Sequence, residues 1–238
     1  MLTLYIGNKN YSSWSLRPWL AMREAGVAFE EVRLRLDFAD GSPFKRALAA
    51  VAPTGKVPVL LDDELPDAAG RPLAVWDTLA IAEYLAEKFP DRSLWPAAPR
   101  QRARARSLCA EMHAGFAALR MHLPMNLEAS LPEAGAAALR ERADVRADVE
   151  RIDALWTDAL AASGGPFLFG AFGLADAYFA PVCTRLRTYG VALAGPAAAD
   201  YARRVLALPS MRAWEEEACA EADFLDFDEP YRSRRDTA

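Results

Sequence analysis

The sequence predicts an α/β domain followed by an all-α domain, joined by a short linker. Three observations carry this. The first third of the chain alternates short apolar runs with amphipathic stretches. The segment PDRSLWPAAPR, Pro90 to Arg100, concentrates three prolines. The remainder has helical spacing almost throughout. With 238 residues, 53% of them hydrophobic, the chain can build one large domain or two smaller ones.

The elements follow in order. Leu2 to Ile6 reads as a buried strand, and Ser15 to Ala25 as a helix closed by Gly26. Within that helix Pro18 falls in the first turn, where its missing N–H costs no hydrogen bond, so Ser15 is the expected N-cap. Val32 to Leu36 alternates with period two and reads as a half-exposed strand. Ser42 to Ala50 is a short helix. Val57 to Leu61 is an apolar strand reached through Pro58. Leu73 to Trp76 is a further strand, and Asp77 to Phe89 a helix with Leu79, Ile81, Ala82 and Leu85 on its apolar side. This order implies a small mixed sheet with helices packed against it. The expected division is residues 1–89 as the first domain, 90–100 as the linker, 101–225 as the helical domain and 226–238 as a polar tail. In the helical part, Gln101 to His122 and Glu133 to Ala162 each read as one long helix. Leu174 to Tyr189, Ala197 to Ala207 and Ser210 to Ala220 follow.

Bulk properties narrow the function. A formal net charge of −5 argues against nucleic acid as a partner. The cysteines Cys109, Cys183 and Cys219 are far apart and odd in number, so a reducing cytoplasm is expected rather than a disulfide framework. Two histidines and no CxxC leave no metal-ligand spacing. Neither a secretory signal nor an apolar run of membrane-spanning length is evident. Four lysines against twenty-four arginines, with abundant alanine, suggest a bacterial genome.

Three short motifs can carry chemistry. In YSSWSLRPWL, Tyr11 to Leu20, Ser12 and Ser13 stand just before a helix, at its positive end, where anions are favoured. In APTGKVPVL, a cis bond at Val57-Pro58 would turn the Val57 N–H and C=O outward, free to pair with an extended peptide. In VWDTLAIAEYL, Asp77 or Thr78 caps a helix, and the pair offers a carboxylate and a hydroxyl to an amino acid's charged ends. Taken singly, each is also an ordinary cap or turn. No histidine lies near the serines to make one of them a nucleophile.

Their order and spacing, with the linker and the helical remainder, resemble the cytosolic glutathione transferase superfamily over nearly the whole chain. The resemblance implies a thioredoxin-like N-terminal domain that binds glutathione as co-substrate, and an all-α bundle that supplies the second-substrate pocket. The SSWS…R stretch is similar to the serine-type, zeta-like (maleylacetoacetate isomerase-like) loop, with Ser12 at the catalytic serine, Ser13 beside it and Trp14 where that class has cysteine. Lys56, Val57, Pro58, Asp77 and Thr78 fall at the glutathione-binding positions. Lys56 replaces a glutamine, and Asp77-Thr78 replaces a Glu/Gln-Ser pair. Trp14, Met112, Phe116 and Arg120 are the expected wall of the second pocket. FGAFGLADAYFAPV resembles the family's capping-box segment, with Gly173 in place of the hydroxyl and Asp176 kept. The implied activity is attack of the glutathione thiolate on small apolar electrophiles, without metal, by a homodimer. A ligand-binding or stress-related module without turnover, and a glutathione-dependent isomerase or peroxidase, are the alternatives.

Overall fold

The computed structural model describes residues 1–233. Four strands, β1 (Leu2–Ile6), β2 (Glu30–Arg33), β3 (Val59–Asp62) and β4 (Leu73–Trp76), form one sheet in the order β2-β1-β3-β4. β1 is parallel to β2 and antiparallel to β3, and β3 is antiparallel to β4. Leu2, Leu4 and Ile6 alternate into the core, as a period of two requires. β2 ends earlier than the alternation of Val32 to Leu36 suggests. The Leu36 N–H is taken by Asn8 Oδ1 at 2.8 Å, which draws the chain out of the ladder. β3 begins two residues later than expected, because Pro58 has no N–H to give and follows a cis bond from Val57.

Helix α1 (Ser13–Glu24) joins β1 to β2, α2 (Pro43–Ala49) precedes β3, and α3 (Thr78–Lys88) follows β4. α1 corrects the expected start. It begins two residues before Ser15, with Ser12 at the N-cap position and no side-chain capping bond. Pro18 lies inside the helix. The turn ahead of it is held by the Ser12 carbonyl, which accepts from the Ser15 and Leu16 N–H groups at 3.1 and 3.2 Å. Ser15 is fully buried, and its hydroxyl accepts from the Gly7 N–H at 3.1 Å.

The helical region comprises α4 (Pro99–Ala114), α5 (Ala117–His122), α6 (Pro132–Glu141), α7 (Ala143–Ser163), α8 (Leu174–Thr188), α9 (Pro196–Leu206) and α10 (Pro209–Ala220). Both long helices expected there are broken. At Gly115-Phe116 the backbone turns left-handed (Phe116 φ 54°), Phe116 enters the core, and Asp148 Oδ2 caps α5 by accepting from the Leu119 N–H at 2.9 Å. At Arg142 the chain turns extended, and Asp144 restarts it by accepting from the Val145 N–H at 3.0 Å. α8 is central: every residue but Arg187 is buried, and it packs on α1, α4 and α9.

The start of α8 explains the glycine that stands where a hydroxyl was expected. A Cβ on Gly173 would lie 3.0 Å from the Leu94 carbonyl oxygen. That carbonyl accepts from the Leu174 N–H at 3.0 Å, so the linker backbone caps the helix in place of a serine. Asp176 completes the cap by accepting from the Gly173 N–H at 2.9 Å and the Leu168 N–H at 3.1 Å. Gly173→Ser is therefore expected to give no gain in melting temperature, although an N-cap serine is ordinarily better than glycine by a few tenths of a kcal/mol.

The helical region ties down the loop before α1. Trp214 Nε1 donates to the Lys9 carbonyl at 3.0 Å, and the Lys9 ammonium is about equally far from the Trp19 and Trp214 rings, 5.0 and 4.9 Å from their centroids. Lys9 also pairs with Glu31 at 2.8 Å and with Glu217. Asn8 Nδ2 donates to Glu221 and Asp223, and Asn10 Oδ1 accepts from the Leu127 and Glu128 N–H groups. The expected polar tail also returns to this loop in its first part. Leu225 packs with Tyr11, Leu36 and Phe44, and buried Glu229 accepts from the Tyr11 hydroxyl at 2.7 Å. Residues 234–238 of that tail lie outside the described residues.

Candidate active site

Two adjoining cavities open over the edge of the sheet. The first, about 560 Å³, is lined by Trp14, Lys56, Val57, Pro58, Asp77 and Thr78, with Thr54, Trp76 and His113. The second, about 650 Å³, is reached past Ser12, Ser13 and Trp14 and shares Lys56 and Val57 with the first. Its far wall comes from the helical region: Arg120, Met121, Met125 and Arg185. A cavity of about 600 Å³ between α8 and α9, walled by Leu186, Val191, Ala202 and Leu206, contains none of these residues.

The serines stand at the junction. Ser12 Oγ lies 2.7 Å from Ser15 Oγ, which in turn accepts from the Gly7 N–H. Gly7 is needed for this approach, since a Cβ there would fall 2.7 Å from Leu36 Cδ2 and 3.2 Å from Ser12 Cβ. When Ser15 donates to Ser12, the Ser12 proton is left for a ligand. Ser13 is differently engaged: its Oγ accepts from Arg185 Nη2 at 3.2 Å. The Ser13 carbonyl accepts from Arg17 Nη1 at 3.1 Å, and Arg17 Nε donates to the Tyr178 carbonyl on α8 at 3.0 Å. Arg17 thus anchors α1 to α8 beneath the site.

At the other end of the first cavity Asp77 adopts φ 77°, a conformation that non-glycine residues rarely take and that clusters at functional sites. Its Oδ1 caps α3 by accepting from the Leu79 N–H at 2.8 Å. Its Oδ2 lies 3.4 Å from His113 Nε2, and the Thr78 hydroxyl lies 3.4 Å from His113 Nδ1. The Trp14 ring lies against the same imidazole, tilted by 59°, centroid to centroid 5.1 Å.

All seven residues expected at the thiolate and glutathione positions border one or other cavity, and Trp14 borders both. Of the expected second-pocket wall, Trp14 and Arg120 are brought there. Met112 and Phe116 are core residues and line neither of these cavities. The break at Gly115 is the reason: it ends the helical phase that would have put Met112, Phe116 and Arg120 on one face. Met121 and Met125 supply the apolar wall instead. Sequence reasoning also missed Arg17, Arg185 and His113 as parts of the site. The motif SSWS…R contains Arg17, but Arg185 comes to the site only through the packing of α8 against α1.

A mixed sheet of this order, backed by a helical region, is the thioredoxin-like plus all-α fold of glutathione transferases. The N-terminal glutathione S-transferase domain family matches residues 11–88, and the C-terminal glutathione S-transferase domain family matches residues 136–217, together about two thirds of the chain. The chain belongs to the glutathione S-transferase family. It is 28% identical over 193 residues to the glutathione S-transferase GstB of Escherichia coli K12, covering 80% of this chain and 86% of that protein. It is also 25% identical over 199 residues to a stringent starvation protein A homolog of Histophilus somni, covering 82% of this chain and 79% of that one. Among solved structures it resembles a glutathione transferase homolog from Sulfitobacter with bound glutathione (TM-score 0.64, 26% identity, 91% of this chain and 98% of that one). No helix among the described residues is long and apolar enough to cross a membrane.

Proposed function

We propose that this protein is a serine-type glutathione transferase, zeta-like in its catalytic loop, in which Ser12 stabilises the thiolate of bound glutathione. The observation that carries the proposal is the chain from the Gly7 N–H through Ser15 Oγ to Ser12 Oγ, ending at the junction of the two cavities. The glutathione-bound Sulfitobacter homolog supports glutathione as the ligand.

The reaction needs the thiolate, since the thiol is a poor nucleophile. An ordinary cysteine thiol has a pKa of about 8.5, and lowering it by two units takes roughly 2.7 kcal/mol of preferential thiolate stabilisation. One hydrogen bond to a charged group contributes roughly 1.5–3 kcal/mol. A helix N-terminus adds about 0.3–1 kcal/mol when exposed. The Ser12 hydroxyl at the start of α1 therefore suffices, and the thiol proton leaves to solvent. The buried Arg17 and Arg185 add a favourable field. Val57 pairs with the cysteinyl backbone, with Lys56 beside it. Asp77 receives the γ-glutamyl ammonium on Oδ2, because Oδ1 is committed to capping α3, and Thr78 binds the adjoining carboxylate. Arg120 and Trp14 border the electrophile. The chain works as a homodimer, by analogy with its family.

The test is a titration of glutathione followed by conjugation assays with several electrophiles. Saturable binding with turnover supports the proposal; no binding at millimolar glutathione rejects it. Asp77→Ala is expected to raise the KM for glutathione about tenfold or more, from loss of one ion pair, with a smaller effect on kcat. Steady-state kinetics at saturating electrophile separates the two constants. A second reading has one specific support, the likeness to a stringent starvation protein A homolog. In that reading the site binds glutathione without turnover and the protein serves as a stress-related module. Calorimetric binding with no conjugation, isomerase or peroxidase activity would select it.

A further inference from the structure

Two guanidinium groups, those of Arg17 and Arg120, lie over Trp14, and a third, that of Arg185, reaches the neighbouring Ser13. Arg17 and Arg185 are 1% and 4% exposed, and Arg120 is half-buried. Arg17 Cζ lies 4.2 Å from the Trp14 ring centroid and Arg120 Cζ 5.4 Å from it. Arg185 donates to Ser13 Oγ and, at 3.1 Å, to the Pro181 carbonyl. Among the described residues none of the three has a carboxylate within 4 Å. Arg17 Nη2, Arg120 Nε and Arg185 Nε are buried with no hydrogen-bond partner. Lys56 adds a further cation to the cavity wall, and Asp228 is the carboxylate on that wall. Burial pushes the Asp228 carboxyl up to about 6, so at neutral pH it is still mostly ionised, one negative charge against the three cations Lys56, Arg120 and Arg185 on that wall.

Such an arrangement is costly in the free protein. Burial, together with repulsion between the guanidiniums, lowers Arg17 to about 9, and burial lowers Arg185 to about 10. Buried cations are normally paired with a carboxylate, and a cluster that lacks one marks a place where an anion can bind. The glutathione thiolate supplies one negative charge at the Ser12 end. Arg120 stands on the opposite wall with Met121 and Met125, where the second substrate lies.

We propose that the second substrate is an electrophile bearing a carboxylate, bound by Arg120 and by the buried Arg185 field, with its apolar body against Trp14, Met121 and Met125. This names the substrate class and rests on the transferase reading above. It replaces the expectation of a purely apolar electrophile. For an aryl α,β-unsaturated ketone the step balances. The sulfur lone pair forms the C–S bond at the β-carbon, and the alkene electrons move onto the carbonyl oxygen. The resulting enolate takes a proton from water, with nothing oxidised and nothing lost.

The experiment uses the full chain and two aryl enones that differ only in a ring carboxylate or its carboxamide. Wild type is expected to show a kcat/KM at least about tenfold higher for the carboxylate, the scale of one charge-assisted contact. Arg120→Met should reduce that ratio to within about threefold, and Arg120→Lys, which keeps the charge but not the planar fork, should retain part of it. Equal rates for the two enones in wild type overturn the proposal. So does an Arg120→Met that slows both alike while the bound thiol's pKa rises, which would make the cations servants of the thiolate alone. The unreactive saturated ketones, titrated by Trp fluorescence, separate this from the transferase reading. If neither enone is conjugated, tighter binding of the carboxylate ketone by wild type, lost in Arg120→Met, keeps the anion pocket while rejecting the transferase. Equal binding of both ketones rejects the anion pocket. Should Arg120→Met fail to fold, Arg120→Lys and the wild-type ratio carry the decision.

Discussion

Ser12→Ala is expected to lower kcat for conjugation by about 10- to 100-fold, the range that one hydrogen bond to a charged group commands. The loss should appear with little change in glutathione KM, because the bond strengthens as the thiol ionises rather than when the tripeptide docks. The pH profile gives the sharper reading. The acid limb of kcat follows ionisation of the bound thiol. Removing Ser12 raises that pKa, so the limb should move upward by roughly one to two units, and activity should recover at high pH. Ser15→Ala should produce a weaker form of the same shift, since Ser15 orients Ser12 and leaves the Gly7 N–H unpaired when removed. Ser13→Ala is the control. Its hydroxyl accepts from Arg185 and, like that of Ser12, keeps a proton to donate, so a limb left in place by its loss assigns the thiolate to Ser12 rather than to Ser13. If Ser13→Ala moves the limb and Ser12→Ala does not, the roles of the two serines are exchanged.

The residues proposed to face glutathione were legible because each stands at a local boundary with a sequence signature. Asp77 caps a helix, Pro58 precedes a strand, and Ser12 precedes α1. Local rules do not see tertiary substitutes, and the misses share that cause. Ser15 looked like a cap because Pro18 limits where a helix starts, yet the hydroxyl is used across the loop on Gly7. The break between α6 and α7 falls in a run of good helix formers, LRERADVRADVE, where nothing local stops a helix. The break at Gly115 had a signal in the glycine itself, but its reason is Asp148 on another helix. The clamp on the loop before α1 joins Asn8, Lys9 and Asn10 to residues more than a hundred positions away, so no spacing rule reaches it.

Asp176→Ala is expected to be the more damaging change for the fold. Its carboxyl is buried at the head of the central helix and satisfies two backbone N–H groups, those of Gly173 and Leu168. Each donor left unpaired costs about 1–3 kcal/mol, offset in part by no longer burying a carboxyl. A net loss of roughly 2–4 kcal/mol corresponds, for a chain of this size, to a melting temperature lowered by about 5–15 °C. The pH dependence tests the cause. Burial raises the Asp176 carboxyl to about 6, against the pull of its two N–H partners. In the unfolded chain an aspartate titrates near 3.9. Between about pH 4 and 6 the native state therefore holds a proton that the unfolded state has released, and stability from this group falls as pH rises. Above pH 6 the contribution is flat. Asp176→Asn lacks the titration, so its deficit relative to wild type should be larger at pH 4 than at pH 7, measured by urea unfolding at both. A deficit that is the same at the two pH values would mean that the carboxylate stays ionised in the native core and that its two N–H bonds, with the positive end of α8, outweigh its burial.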